Sequence, residues 1–234
     1  MNVCVLIPAH NEAKTLGDIV AAIKGKRLDV LVIDDGSDDG SGHISAEKGA
    51  VVIRNDQRKG KGFALQKGFV YALEKGYDGI MTMDGDGQHA VNDLDVFMAE
   101  IRKSPDDIIT GNRMHDPHGM PGVRFATNQF MSWLISLICK QSVPDTQCGY
   151  RYISKKILQG LQLTTTDFEI ETEVLVQASR MERKIVSVPI QTIYQDEKSK
   201  INPLRDTMRF FMYIIKLMRS PKSLSRKKVI DAGK

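Results

Sequence analysis

The sequence predicts an α/β domain with a mostly parallel central sheet and helices packed on both of its faces. Three observations carry this. Short apolar runs alternate with longer amphipathic ones. The apolar runs are nearly continuous, as in strands covered on both sides. Polar signatures follow the first, second and fourth runs, where the ligand crevice of a parallel sheet lies.

The runs are VCVLIPA (3–9), DVLVID (29–34), AVVIR (50–54), DGIMTMD (78–84) and DDIITG (106–111). In EAKTLGDIVAAIKG, residues Leu16, Ile19, Val20 and Ile23 recur at helical spacing, and Gly25 is placed to end the helix. GKGFALQKGFVYALEKG offers a broad apolar face of Phe63, Leu65, Phe69, Val70 and Leu73, and VNDLDVFMAEIRKS continues the alternation. The order is βαβαβαβ, with right-handed crossovers expected. Beyond residue 112 come a turn-rich HDPHGMPG, an apolar helix around 123–139 and a TQCGYR segment. A helix near 169–183, a strand IVSVPI (185–190) and an amphipathic helix over 203–219 follow. No linker or repeat interrupts them, so residues 1–220 are expected to form one domain, with 221–234 as a basic tail.

The chain has 234 residues, enough for one sizeable core. A composition 41% hydrophobic and 26% charged excludes general disorder. The first residues run straight into VCVLIPAHNE without the pattern of a leader. Cys4, Cys139 and Cys148 form no paired framework, so a cytoplasmic setting is expected. No stretch of 18 apolar residues is present to span a membrane. The formal charge is +4. Basic residues crowd into 219–234, a segment that can meet anionic lipid or remain a solvated end; no nucleic-acid partner is expected.

Asp84, Asp86, Gln88 and His89 close the fourth run. Alternate residues of an extended segment point the same way, so Asp84 and Asp86 can converge. Two carboxylates aimed at one place call for a cation, and oxygen ligands suit Mg2+ or Mn2+. After the second run, Asp38 and Asp39 are expected to cap the next helix and Asp35 to meet a ligand. Glu12 can cap the first helix or accept from a ribose hydroxyl. Lys59 and Lys61 stand at a helix entrance, which favours phosphate, or they form a plain basic turn. The spacing of a Walker loop is missing, and PAHNEA lacks the glycines of a dinucleotide fingerprint. His10, His89, His115 and His118 fall in different loops without a cysteine at ligand spacing, which argues against zinc. No GxSxG motif supports serine hydrolysis.

Taken in order, IPAHNE (7–12), DDGSDDGS (34–41), KGKG (59–62), MDGDGQH (83–89), GNR (111–113), DTQCGYR (145–151) and SK (199–200) resemble glycosyltransferase family 2. The branch they look most like is the dolichol-phosphate and polyprenyl-phosphate sugar synthases. The resemblance covers roughly residues 1–205 and implies a GT-A, Rossmann-like fold and inverting transfer from a GDP- or UDP-linked sugar. It implies that Pro8, Glu12 and Asp35 line the nucleoside pocket, with Lys61 and Lys200 as further donor contacts. Asp84 and Asp86 would be the acidic pair of the metal motif, with Gln88 as an additional ligand. Arg113 and Arg124 resemble arginines that receive the acceptor phosphate, although Arg124 also reads as a surface charge at a helix start. Asp145 matches the acid before GYR and is the first candidate base.

A phosphate acceptor needs no base, because it is already an anion. A hydroxyl of a surface glycan, the alternative acceptor, would need one from Asp145, Asp167, Glu169 or Glu171. The stretch after VPI reads QTIYQDEKSKIN and lacks the arginines and glycine usual in the lipid-phosphate synthases, which bears on the acceptor more than on the donor. In the 203–219 helix, Leu204, Met208, Phe211, Met212, Ile215 and Met218 share one side. Such a face can lie in the cytoplasmic face of a membrane, on the body or on a partner. The apolar FMSWLISLIC (130–139) adds to the case for a membrane surface.

Overall fold

Strand β1 (Val3–Ala9) shows how the apolar runs become the centre of a sheet. Val3, Val5, Ile7 and Ala9 pack into one core layer, Cys4 and Leu6 into the other, because successive strand residues point to opposite faces. The structure is a computed structural model and describes residues 1–167, 169–191, 193 and 214.

The chain continues through α1 (Ala13–Gly25), β2 (Asp29–Asp35), α2 (Ser41–Glu47), β3 (Val51–Asn55), α3 (Lys61–Glu74) and β4 (Gly79–Thr82). The second half adds α4 (Leu94–Lys103), β5 (Ile108–Asn112), α5 (Gly122–Cys139), β6 (Arg151–Ser154), α6 (Lys155–Gly160), α7 (Glu169–Arg180) and β7 (Ile185–Pro189). The strands form one sheet in the order β3-β2-β1-β4-β6-β5-β7. Leu16, Val20 and Ile23 of α1 join Leu94, Phe97 and Ile101 of α4 on one face. Phe69 of α3, Ile135 of α5, Ile157 of α6 and Leu175 of α7 cover the other. Each such buried side chain contributes about 1.5–3 kcal/mol relative to exposure, and the expected two-faced α/β architecture is present.

The sheet is mostly parallel, as expected, with one strand reversed. RYIS, within the TQCGYR region, forms β6, which pairs antiparallel with β4 on one side and with β5 on the other. Between those two neighbours Arg151, Tyr152, Ile153 and Ser154 are all buried. The Arg151 guanidinium donates to the carbonyls of Cys148 (2.7 Å), Thr146 (2.7 Å) and Glu171. A charge this deep is tolerated because its donors are met by oxygen.

Three smaller expectations change. Gly25 is the last residue of α1, but the left-handed turn falls at Arg27 (φ 60°). Gly40 (φ 86°), not Asp38, is the N-cap of α2. Asp39 instead bridges two helix starts, accepting from Ala13 N (2.9 Å) and Ser41 N (2.9 Å). The helix expected over 203–219 lies outside the described residues apart from Ile214, which is helical and buried with the core layer of α5 and α7. Lys200 and the 221–234 tail also lie outside them. Among the described residues no helix is long and apolar enough to cross a membrane.

Because three carbonyls depend on one guanidinium, Arg151→Met is expected to destabilise the protein by about 3 kcal/mol. Urea denaturation of the two proteins measures this.

Candidate active site

The antiparallel insertion decides what meets at the strand ends. Register sets Thr82 opposite Arg151, and Arg151 opposite Thr110. The segment entering β6 therefore lies between the segments leaving β4 and β5, and Thr82 Oγ1 donates to Gly149 O at 2.7 Å. MDGDGQH, GNR and DTQCGYR, far apart in sequence, share one edge.

Past β4 the chain turns, with Gly87 at φ 79°. Asp84 and Asp86 thus come together by a turn, closed where Gln88 N donates to Asp86 Oδ1 (3.0 Å), rather than by strand alternation. His89 Nδ1 accepts from Asp84 N (3.2 Å), and its ring stacks on Tyr150 at 5.0 Å. Burial pushes the His89 pKa down, which suits the neutral acceptor form.

Lys61, at the start of α3, sits 2.6 Å from Asp84 Oδ1 and 2.7 Å from Glu171 Oε1. Burial alone would raise the Asp84 pKa, but the charge of Lys61 outweighs it and holds it at about 2. Burial likewise opposes the charge of Lys61, whose pKa is nonetheless raised by Asp84 and Glu171. Asp86 is raised, first by burial and then by the negative charge of Asp84. That repulsion is the tension a divalent cation would relieve. No three His, Cys, Asp or Glu side chains among the described residues gather into a metal cage. The acidic pair fits an ion such as Mg2+ or Mn2+, which keeps waters and takes phosphate oxygens for its other positions.

The neighbouring loops are tied together at the ends of β1 and β2. His10 Nδ1 lies 2.9 Å from Asp35 O, and Asn11 N donates to Ser37 Oγ (3.1 Å). Pro8 lies in β1 opposite Ile33. Glu12 is the N-cap of α1 by position but makes no side-chain cap bond, and its Cγ lies close to Gly85. Asp34 is spent on Ser37 N and Arg54. Asp35 accepts from Asn55 Nδ2 (2.8 Å), Lys59 N (2.9 Å) and Gly60 N (2.8 Å), so it also anchors the KGKG loop. The glycines of that loop have a packing reason. A Cβ on Gly62 would come within 2.4 Å of the Thr166 backbone, and Phe63 N donates to Thr166 O.

Arg113, just past β5, is buried and grips Asp145 through Nε (2.7 Å) and Nη2 (2.9 Å). Asp145 also accepts from Arg113 N, Asn128 Nδ2 and Gln147 N. It is 0% exposed. Burial would raise its pKa, but the bonds and charge of Arg113 outweigh that and lower it. The structure therefore places Asp145 as the partner of Arg113 rather than as an accessible base. Arg124 stands half-buried in the first turn of α5. Glu171 was legible only as one acid among several in the FEIETE run; its pairing with Lys61 depends on α7 packing beside the KGKG loop.

This seven-stranded sheet, with β6 reversed and an acidic turn at the end of β4, is the GT-A glycosyltransferase fold. The chain matches the model of glycosyl transferase family 2 over residues 4–161 and belongs to that family. It is 30% identical to the UDP-N-acetylglucosamine–dolichyl-phosphate N-acetylglucosaminyltransferase of Methanococcus voltae, over 82% of this chain and 86% of that protein. It is 29% identical to the undecaprenyl-phosphate mannosyltransferase of Micrococcus luteus, over 84% of this chain and 85% of that one. Glucosyl-3-phosphoglycerate synthase from Mycobacterium tuberculosis, in complex with Mn2+, UDP-glucose and phosphoglyceric acid, matches with a TM-score of 0.70 at 17% identity. The match covers 95% of this chain and 81% of that one.

Asp145 has a lowered folded-state pKa, so its stabilising contribution is complete above the ordinary aspartate value of about 3.9 and fades as pH falls through the folded value. Asp145→Asn should cost about 3 kcal/mol at neutral pH, because Arg113 is left buried without its counter-charge. The loss should shrink in acid, as denaturation curves between neutral pH and strong acid will record.

Proposed function

We propose that this chain transfers a sugar from a nucleoside diphosphate to a polyprenyl phosphate, with inversion at the anomeric carbon. The observation that carries the donor half is the repelling Asp84–Asp86 pair at the end of β4, with Lys61 beside it. The relatives named for transfer to dolichyl and undecaprenyl phosphate support the acceptor half.

In this reading Pro8, Glu12 and Asp35 line the nucleoside pocket, Asp35 doing so while it holds the KGKG loop in place. Asp84 and Asp86, with Gln88, would hold Mg2+ or Mn2+. A divalent ion bound there supplies Lewis-acid neutralisation of the charge on the departing nucleoside diphosphate. Arg113 keeps Nε and Nη2 on Asp145, leaving Nη1 as the donor for the acceptor phosphate. Asp145 acts as a positioning residue that fixes the plane of that guanidinium. Arg124 is the further cationic contact for the acceptor phosphate, and Lys61 and Lys200 are those for the donor. The acceptor oxygen arrives charged and attacks the anomeric carbon as the bond to the diphosphate breaks, so no carboxylate has to remove a proton.

The lipid half has a surface to use. Val123, Phe130, Trp133 and Leu137 are exposed along α5, Val123 at 83% and Trp133 at 57%. Beside them an open groove of about 750 Å3 is lined by Met114, Phe125, Ser132, Trp133 and Leu137. Met114 and Phe125 adjoin Arg113 and Arg124 in sequence, so prenyl units in the groove would lead their phosphate toward the arginines. Exposed aromatic and aliphatic side chains at a helix surface suit the interfacial zone of a bilayer. The chain would then work peripherally at the cytoplasmic face of the membrane.

Two outcomes are expected. Calorimetry should find the preferred nucleotide, UDP or GDP, binding far more tightly with Mn2+ than in EDTA; equal affinity would remove the metal-bridge reading. Arg124→Ala should raise the KM for a short polyprenyl phosphate at least tenfold while leaving nucleotide affinity within about twofold, a loss of roughly 1.4 kcal/mol or more on the acceptor side alone. Acceptor titrations with lipid phosphate and with oligosaccharide check this, and product formed only on a sugar hydroxyl would overturn the lipid-phosphate acceptor.

A further inference from the structure

Two acidic groups and one ammonium crowd the space beside Gly149. A Cβ added at Gly149 would stand 2.8 Å from Asp84 Oδ2, 3.1 Å from Glu171 Oε1 and 3.1 Å from Lys61 Nζ. Lys61 is mostly buried, its side chain 17% exposed, and it bridges Asp84 Oδ1 and Glu171 Oε1. The ammonium thus occupies an oxygen of the same carboxylate that the proposed function gives to the divalent ion.

We propose that Lys61 is a built-in counter-ion of this site, held by Glu171, and that it makes metal binding conditional on the nucleotide. The inference rests on the metal-bridge reading of Asp84 and Asp86. The electrostatics run in one direction. A divalent ion arriving alone must share Asp84 with an ammonium 2.6 Å from that oxygen, and like charges at such separations repel strongly away from water. A metal arriving with a nucleoside diphosphate brings the phosphate oxygens that an ammonium can turn to, and Lys61 then changes partner instead of opposing the ion. Metal and nucleotide become linked ligands, each raising the affinity of the other. Glu171 is a positioning residue: it keeps Lys61 at the pocket when Asp84 passes to the metal. Without it, the ion pair that draws Lys61 away from Asp84 would be lost.

The geometry also accounts for the glycine of the DTQCGYR segment. A side chain at 149 would push into the three charged heads and force them to shift, so glycine leaves their arrangement undisturbed.

The test is the electron paramagnetic resonance signal of free Mn2+ titrated with the full-length protein, with and without UDP or GDP. Wild type should bind Mn2+ weakly alone and at least tenfold more tightly with the preferred nucleotide. Lys61→Met should bind Mn2+ alone at least tenfold more tightly than wild type, and the nucleotide-dependent gain should shrink. Lys61→Arg, which keeps the charge, should stay close to wild type without nucleotide. Glu171→Gln should weaken Mn2+ binding in the presence of nucleotide, and adding Lys61→Met to it should recover much of that loss, an interaction that independent structural damage would not produce. Circular dichroism melts confirm that each variant is folded. If wild type binds Mn2+ with nucleotide but folded Lys61→Met binds Mn2+ alone no better than wild type, the counter-ion role is overturned while the metal reading stands. If no nucleotide brings Mn2+ onto wild type, both fall together.

Discussion

The reversal of β6 is the constraint on which the rest of the structure depends. Had RYIS entered the sheet parallel to β4 and β5, the loop before it would have emerged at the opposite edge. Antiparallel pairing instead delivers residues 145–150 to the edge where β4 and β5 end. Asp145 then reaches Arg113, Gly149 makes room for Asp84, and Tyr150 stacks on His89. Arg151 secures the arrangement from within, since its guanidinium ties β6 to its own preceding loop and to the start of α7. Hydrogen bonds to a charged donor are stronger than neutral ones, which suits a loop with little regular structure of its own.

Charge balance is the second organising feature. Asp84, Asp86, Asp145 and Glu171 lie close to Lys61 and Arg113, and the pairing is unequal. Asp145 and Arg113 satisfy one another in full geometry, a bidentate pair deep in the fold. Lys61 instead divides itself between Asp84 and Glu171, and Asp86 is left with a raised pKa beside the charge of Asp84. A settled pair holds shape, whereas an unsettled group is where an incoming cation or phosphate finds something to gain. His89 fits between these extremes: buried and neutral, it fixes the backbone of Asp84 without adding a charge.

Several residues carry two duties at once. Asp35, proposed to meet the nucleoside, also accepts from the backbone of the KGKG loop. That loop in turn packs on Thr166 through glycines, and Glu173 of α7 pins the adjoining Thr164 and Thr165. The donor side and α7 are therefore mechanically continuous, and α5 meets α7 on the same face of the sheet. The exposed face of α5 and the loops at the ends of β1 and β2 are joined through one packed layer.

By itself the sequence determined the alternation of strands and helices through residue 112, the two-faced core and the acidic pair after the fourth strand. Those features rest on local periodicity: Val3 to Ala9 must be buried on both sides, and Leu16, Val20 and Ile23 must share a helix face, whatever the rest of the chain does. It also brought out the motifs in the right order, including Asp84, Asp86 and the Arg113 segment. Only the tertiary structure decided their partners. RYIS is too short and too mixed in polarity to announce its direction, because strand orientation depends on which edge it meets rather than on its own pattern. For the same reason an Asp before GYR could be read as a base, when the paired Arg113, Asn128 and Gln147 fill its oxygens. Glu171 was read only as one of several candidate acids, since the ammonium it meets lies more than a hundred residues earlier and reaches it only once α3 and α7 pack on the same face of the sheet.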